Sequence, residues 1–180
     1  MQVDLSRYDN SWFNPGRGMI VRTIWHFTNT IFFINGLFPF SGLKVFLLKI
    51  FGAQIGKGVV VKPRVSVKYP WNLRIGENTW IGEGVWIDNL TKVGIGANCC
   101  LSQGALLLCG NHNYRSETFD LMVGEIVLED GVWIGANSIV PGNSVCKTHS
   151  VLSVQSVAPV NMEPFMIYRG NPAAPVKKRV

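Results

Sequence analysis

The sequence predicts an all-β solenoid, because apolar residues recur every six positions and the repeat is interrupted at regular places. Between Ile55 and Val157, the first residue of each six-residue unit is Ile, Val or Leu in thirteen of fourteen units. A six-residue period fits neither an α-helix nor a simple alternating strand, so we expect short strands joined by turns. The leading residues are Ile55, Val61, Val67, Ile75, Ile81, Ile87, Ile95, Leu101, Leu107, Leu128, Ile134, Val140, Cys146 and Leu152.

Two further positions of each unit also have recurring residue types. The residue four places after the leading one is usually small or β-branched, and a glycine often follows the leading residue, as in "IGENTW", "IGEGVW" and "IGANSI". We attribute this glycine to a corner whose backbone angles other residues resist. Each leading side chain, once buried, contributes about 1.5–3 kcal/mol relative to exposure.

The interruptions predict the cross-section. Leu73 and Arg74 form one two-residue insertion, Val93 and Gly94 form another, and a longer insertion covers residues 113–127. Each follows three complete units, so in a three-sided coil all would leave from one corner. We therefore expect a triangular parallel β-helix; a β-sandwich of short strands is the alternative that fits this register poorly.

The chain divides into one domain with two appendages. We expect the solenoid in residues 55–158, an apolar segment in residues 1–54 and an irregular, proline-rich strap in residues 159–180. No apolar run in the first segment reaches the roughly 20 residues of a membrane span. It is either a helical cap on the solenoid or a membrane-surface segment flanked by basic residues. Those residues are Arg17, Arg22, Lys44 and Lys49.

Composition restricts the partners. The chain has 47% hydrophobic and 16% charged residues, which favours self-association, and its net charge of +6 favours an anionic ligand or lipid surface. Scattered basic residues without a binding motif argue against nucleic acid. The four cysteines lack metal-ligand spacing, and the polar start shows no signal peptide. We expect a cytoplasmic protein without metal, with the inner face of the membrane as an open location.

His112 is the candidate catalytic residue. It stands in "CGNHNY", at the root of the longest insertion, where a loop leaves a rigid scaffold. Histidine is suited to general-base chemistry near neutral pH. The alternative, an exposed loop histidine without a role, stays open at this stage. His149 lies inside the repeat and is expected to be structural.

The repeat, "LCGNHNY" and the ending "YRGNPAAPVKKR" together resemble the hexapeptide-repeat acyltransferases. The segment "YPWNLRIGENTWIGEGVWIDNLTKVGIGANCC" is most similar to their colanic acid biosynthesis subgroup. This resemblance implies a left-handed coil and a homotrimer with sites between subunits. It also implies transfer of an acetyl group from acetyl-CoA to a sugar hydroxyl in surface polysaccharide biosynthesis. His112 would be the general base, and no covalent intermediate would form.

The resemblance also implies binding residues. Asp88 and Asn89 would hold the acceptor, a sugar or a lipid-linked saccharide, while Ala136 and Val154 would border the pantetheine arm. The coenzyme phosphates would meet basic residues near the end of the chain, namely Arg169, Lys177, Lys178 and Arg179. Where relatives commonly have "GAGSVVTKD", this chain has "SVQSVAPVN". Two alternatives therefore remain: a non-catalytic scaffold, or an N-acetyltransferase acting on an amino sugar.

Overall fold

The computed structural model describes residues 2–180, in which helices precede a three-sided β-solenoid. Helix α1 (Met19–Thr28) continues into a π-helical segment, Asn29–Ile34, and α2 (Ser41–Ile50) leads into the first coil. Short 3-10 turns occur at Leu5–Arg7 and Pro70–Asn72. Among these residues no helix is both long and apolar enough to cross a membrane.

The solenoid has three faces whose strands pair in parallel from coil to coil, which confirms the predicted fold class and triangular shape. The first face contains β1 (Gln54–Ile55), β4 (Leu73–Ile75), β7 (Val93–Ile95), β12 (Ile126–Leu128), β15 (Val145–Cys146) and β17 (Asn161–Met162). The second face contains β2 (Val60–Val61), β5 (Trp80–Ile81), β8 (Cys100–Leu101), β13 (Trp133–Ile134), β16 (Val151–Leu152), β18 (Met166–Gly170) and β19 (Ala173–Lys178). The third contains β3 (Ser66–Val67), β6 (Trp86–Asp88), β9 (Leu106–Leu108) and β14 (Ile139–Pro141).

The leading residues of the repeat form the interior of the prism. All fourteen are buried, and the most accessible, Ile55, is only 9% exposed. The small or β-branched positions lie beside them, with Val65, Ala105 and Val132 completely buried. In the later coils four residues of this second column are serines, and all four are buried. Those serines are Ser138, Ser144, Ser150 and Ser156.

The insertions all leave the corner between the third and first faces, as the repeat predicted. They follow β3, β6 and β9. The longest differs at both ends from the expected range 113–127. It starts earlier, because β10 (Gly110–His112) pairs antiparallel with β11 (Leu121–Val123), and it ends earlier, because Ile126 already belongs to β12.

The glycine after the leading residue serves a purpose other than the one we expected. A Cβ atom on Gly82 would lie 2.6 Å from the carbonyl oxygen of Leu101 in the next coil, and the φ angle of Gly82 is not positive. The left-handed backbone angles fall later in the turns, for example at Asn98 (φ 54°) and Asn137 (φ 54°). Asparagine tolerates this conformation better than most residues. Close approach of the coils, rather than backbone freedom, selects this glycine.

The N-terminal helices pack on the first coil. The fully buried Lys44 of α2 donates from Nζ to the carbonyl of Lys62 over 2.9 Å, and burial lowers the pKa of its ammonium. The Ser41 hydroxyl oxygen accepts from the Val61 N–H, and Trp25 Nε1 donates to the Val67 carbonyl over 2.9 Å. The helices thus satisfy backbone groups of a coil that has no preceding neighbour.

The C-terminal residues are regular, which corrects the expected irregular strap. Strands β17 and β18 extend two faces, and β19 turns back antiparallel along β18. The prolines suggested irregularity, but Pro172 lies in the turn between the two strands. Pro175 lies in the edge strand β19, where a missing N–H is tolerated.

The close contact between coils gives a matched pair of substitutions. Gly82→Ala is expected to lower the free energy of unfolding by about 1–3 kcal/mol, because the added methyl group overlaps the next coil. Gly94→Ala, whose Cβ meets nothing within 4 Å, should leave stability unchanged or raise it by about 0.4–1 kcal/mol. Urea unfolding of both variants checks this, and equal stability of the two would contradict it.

Candidate functional site

His112 is held in a defined orientation by the hairpin that it begins. Its Nδ1 lies 3.0 Å from the backbone carbonyl oxygen of Phe119, and its ring stacks on the Phe119 ring with centroids 4.4 Å apart. A carbonyl oxygen only accepts, so Nδ1 carries the hydrogen of this bond. In the neutral side chain Nε2 is then the unprotonated nitrogen, which is the arrangement that a general base requires.

The hairpin tip is braced by one carboxylate. The Ser116 and Thr118 hydroxyls both donate to Asp120, and the Asn113 N–H donates to the Asp120 carbonyl over 2.9 Å. The two hydroxyl bonds lower the pKa of the Asp120 carboxyl. This network fixes the segment that carries Phe119 and therefore the carbonyl that orients His112.

The N-terminal segment is tied to the same hairpin. The Asp4 N–H donates to the Glu117 carbonyl over 2.9 Å, and the Arg7 guanidinium pairs with the Glu117 carboxylate at 3.0 Å. The ring of Tyr8 lies 5.7 Å from the His112 ring. Residues more than a hundred positions apart in sequence thus form one wall of the site.

A cleft of about 720 Å³ lies between this wall and the solenoid. His112 and Leu121 line it from the hairpin, Asp88 and Lys68 from the third face, and Phe13 from the N-terminal segment. The cleft combines apolar surface, a histidine and a carboxylate, which is typical of a small-molecule site.

Asp88 lies in this cleft together with His112. It ends β6 and is only 7% exposed, and its Oδ1 lies 3.1 Å from Lys68 Nζ. The ammonium is close enough for an ion pair, but no donor among residues 2–180 is aimed at Oδ1 as a hydrogen bond. Asp88 therefore keeps hydrogen-bonding capacity for a ligand.

Asn89 is placed differently, and the structure corrects its expected role. Its side chain is completely buried, with Oδ1 accepting from the Tyr69 N–H over 3.0 Å and Nδ2 donating to the Tyr69 carbonyl over 2.6 Å. Both polar atoms are used to join two successive coils. Asn89 supports the corner and does not face an acceptor.

Ala136 and Val154 lie together, but on another corner from His112. They occupy successive coils between the second and third faces, where the Gln155 N–H donates to the Ala136 carbonyl over 2.9 Å. Val154 is 61% exposed. The whole width of the third face separates this corner from the one that carries the His112 hairpin. One chain therefore does not bring these residues and His112 together.

The basic residues near the C-terminus do not form one cluster. Arg169 lies near the Val154 corner, because the adjacent Tyr168 carbonyl accepts from the Ser153 N–H. Lys177 and Lys178 lie at the opposite end of the second face, since β19 runs antiparallel to β18. Arg179 donates from Nη1 to the carbonyls of Gly131 and His149, so its guanidinium fastens the chain end.

Several residues that line the cleft were not among those predicted from the sequence. Lys68 could have been found, because it lies 20 residues before Asp88 and one complete coil away, in register with it. Tyr8, Phe13 and Arg22 could not, because their position depends on how the N-terminal segment folds over the third face.

The cysteine nearest the site is not a nucleophile. Cys109 is 1% exposed, and burial raises the pKa of its thiol to about 11. A protonated, inaccessible thiol does not attack a thioester. Within residues 2–180 there is also no group of three or more His, Cys, Asp or Glu side chains suited to a metal ion.

Comparison with known proteins identifies the family. No protein-family model matches the chain. An Escherichia coli protein, provisionally named the colanic acid biosynthesis acetyltransferase WcaF, is 31% identical over 168 residues, covering 93% of this chain and 92% of the relative. The fold and the loop histidine define a hexapeptide-repeat acetyltransferase. At this identity and coverage, the chain belongs to the colanic acid biosynthesis acetyltransferase family within that class, and the predicted resemblance is confirmed.

Solved structures agree on the fold. A hexapeptide-repeat acetyltransferase from Vibrio cholerae, complexed with acetyl coenzyme A, aligns with a TM-score of 0.80 at 20% identity, covering 89% of this chain and 88% of that one. A galactoside acetyltransferase in complex with coenzyme A aligns with a TM-score of 0.78 at 20% identity, covering 89% and 82%.

The role of Asn89 is open to direct measurement. Asn89→Ala leaves the buried N–H and carbonyl of Tyr69 without partners and should lower the free energy of unfolding by about 1–3 kcal/mol. Asn161→Ala, at an exposed position, should change it by less than about 0.5 kcal/mol. A stable Asn89→Ala protein with a raised KM for its acceptor would instead restore the acceptor-binding role.

Proposed function

We propose that the protein transfers an acetyl group from acetyl-CoA to a sugar hydroxyl during synthesis of a surface polysaccharide, with His112 as the general base. The observation that carries this proposal is the Phe119 carbonyl on His112 Nδ1, which leaves Nε2 unprotonated in a side chain that lines the cleft. The family membership supports the acetyl donor and the sugar acceptor.

The residues of the cleft can carry out each proton transfer that the reaction requires. Nε2 of His112 takes the hydroxyl proton as the sugar oxygen bonds to the thioester carbonyl carbon. The Phe119 carbonyl then stabilises the imidazolium through its bond to Nδ1. When the carbon–sulfur bond breaks, the imidazolium returns its proton to the departing thiolate. Asp88 accepts a hydrogen bond from a second hydroxyl and orients the sugar. No covalent enzyme intermediate is required.

A homotrimer is part of the proposal, because the pieces of the site lie on different corners of one chain. In such an assembly, coenzyme bound along Ala136 and Val154 of one subunit would reach His112 of its neighbour. Arg169, on the same side, would meet its phosphates. The outer surface of the second and third faces is apolar, with Trp80, Trp86 and Trp133 between 46% and 57% exposed. Burying these tryptophans would stabilise association.

Removal of the base tests the assignment. His112→Ala should lower kcat about 10²–10⁴-fold while coenzyme binding and the oligomeric state stay unchanged, because general-base catalysis supplies a factor of that size. Tyr114→Ala, in the same hairpin but 71% exposed and away from the cleft, serves as the control. Coenzyme release from acetyl-CoA with saccharide acceptors gives the rate.

Three measurements separate the proposed function from its alternatives. A fully active His112→Ala protein would exclude the proposed base. A protein that binds no coenzyme A by calorimetry would be the scaffold that the altered "SVQSVAPVN" segment suggested. A product that resists mild alkali would be an amide and would move the acceptor to an amino sugar.

We further propose that the enzyme works in the cytoplasm, in contact with the inner face of the membrane. Five apolar residues form one exposed stripe along α1 and the π-helical segment, spaced by four, three, four and three residues. They are 45–77% exposed, whereas Trp25 and Phe33 of the same helical segments are buried against the solenoid. The stripe is Ile20, Ile24, Phe27, Ile31 and Ile34.

Charge supports a lipid partner for this stripe. Residues 10–76 hold nine Lys or Arg and no Asp or Glu, and all but the buried Lys44 contribute to a positive surface, while the rest of the chain is slightly acidic. An exposed apolar stripe with a basic surround matches an anionic bilayer surface, to which both the buried apolar area and the charges contribute.

Vesicle binding tests the membrane contact. The double variant Ile24→Glu, Phe27→Glu should reduce co-sedimentation with phosphatidylglycerol-containing vesicles by about tenfold or more, because two apolar contacts are lost and two negative charges gained. Val176→Glu, at a 50% exposed position of β19, is the control. Loss of the oligomer without any change in vesicle affinity would show that the stripe joins subunits instead.

A further inference from the structure

Arg22 of α1 links the main cleft to a second one. It lines the cleft of about 720 Å³ that contains His112, and also an adjoining cleft of about 400 Å³ between α1 and the third face. Lys68 and Tyr69 also line both clefts. The two clefts therefore meet at these three side chains, and a ligand longer than one sugar that passes them would contact both.

Arg22 has no protein partner that explains its position. Its Nε is buried without a hydrogen-bond partner among residues 2–180, and no carboxylate in that part of the chain pairs with its guanidinium. A buried, unpaired donor on a charged group is costly unless a ligand supplies the acceptor.

The surroundings of Arg22 are positive. Among residues 2–180, Asp88 is the one carboxylate that lines either cleft, and it is already beside Lys68. His26 lines the smaller cleft as well. Two permanent cations against a single carboxylate leave the junction of the clefts with a net positive charge, which favours an anionic group there.

We propose that Arg22 and Lys68 bind a phosphate or pyrophosphate group of the acceptor, which would make the acceptor a phosphorylated sugar and not a free one. The planar guanidinium can donate two hydrogen bonds to adjacent phosphate oxygens, and the ammonium adds a flexible third donor. The phosphate then lies at the junction of the clefts, the sugar extends toward His112, and the rest of the carrier follows the smaller cleft. This inference rests on the proposed function for its sugar and its reaction.

Three kinds of molecule can supply this phosphate. The phosphate can belong to a nucleotide or to a lipid carrier, and a phosphate of coenzyme A is the competing occupant. If the phosphate belongs to the acceptor, loss of Arg22 changes which acceptors react. If it belongs to coenzyme A, loss of Arg22 changes only the affinity for the coenzyme.

Binding without chemistry is the first test. Calorimetry with inorganic pyrophosphate and with UDP-glucose, in the absence of coenzyme, should show affinity about tenfold or more weaker in Arg22→Gln, because charged hydrogen bonds are lost. Arg74→Gln, the same change on the first face, should bind like the unchanged protein. Lys68→Gln gives a second measurement if Arg22→Gln folds poorly. Equal affinity in all proteins would overturn the proposal.

Steady-state kinetics give the second test. With a phosphorylated acceptor, Arg22→Gln should raise the acceptor KM about tenfold with little change in kcat or in the KM for acetyl-CoA, and Arg22→Lys should recover part of the loss. A raised KM for acetyl-CoA alone would assign the phosphate to the coenzyme and overturn the inference. Equal use of glucose, UDP-glucose and a lipid-linked glucose would also overturn it.

The proposed anion site and the proposed acetyl transfer can be refuted independently of each other. Arg22-dependent pyrophosphate binding in a protein that transfers no acetyl group would leave the anion site in place and refute the acetylation. Acetyl transfer that depends on His112 and is indifferent to Arg22 would refute the anion site alone.

Discussion

The close stacking of successive coils is the constraint on which the remaining structure depends. Parallel strands bring neighbouring coils to about 4.8 Å. At five of the fourteen turns a glycine follows the leading residue, and a Cβ there would lie no more than 2.6 Å from the next coil. These glycines stand at the corners between the first and second faces and between the second and third faces. The corner between the third and first faces receives every insertion, including the hairpin that carries His112.

The orientation of His112 follows from contacts outside the solenoid. The Phe119 carbonyl selects the tautomer, Asp120 braces the turn that presents this carbonyl, and Glu117 joins that turn to the N-terminal segment. The solenoid supplies a rigid base with Asp88 and Lys68 at fixed heights, and the hairpin supplies the histidine. The site combines a wall built on the solenoid with a wall formed by the hairpin and the N-terminal segment, which the bonds to Asp120 and Glu117 hold in place.

Much of this could be predicted from the sequence, because each coil repeats the same local rule. The six-residue period predicted which residues are buried, and its interruptions predicted the corner at which the insertions leave. The longest interruption indicated His112 as the candidate catalytic residue. The failures concern residues whose role depends on distant partners. Asn89 was predicted to bind the acceptor, but in the structure its side-chain amide is bonded to the backbone of Tyr69, one coil away. Arg179 looked like part of a basic tail but bonds two carbonyls of the solenoid. The sequence indicates Arg22 only as a basic residue beside the apolar segment, because nothing local places it above the third face.

The single permissive corner has a consequence for how such enzymes diversify. Because insertions there do not disturb the stacking of coils, a lineage can lengthen, shorten or replace the hairpin while the prism keeps its stability. Selection for a new acceptor can thus act on one loop and on the N-terminal segment that touches it, largely independent of selection for folding. The architecture separates the part of the chain that must stay constant from the part that is free to explore new chemistry.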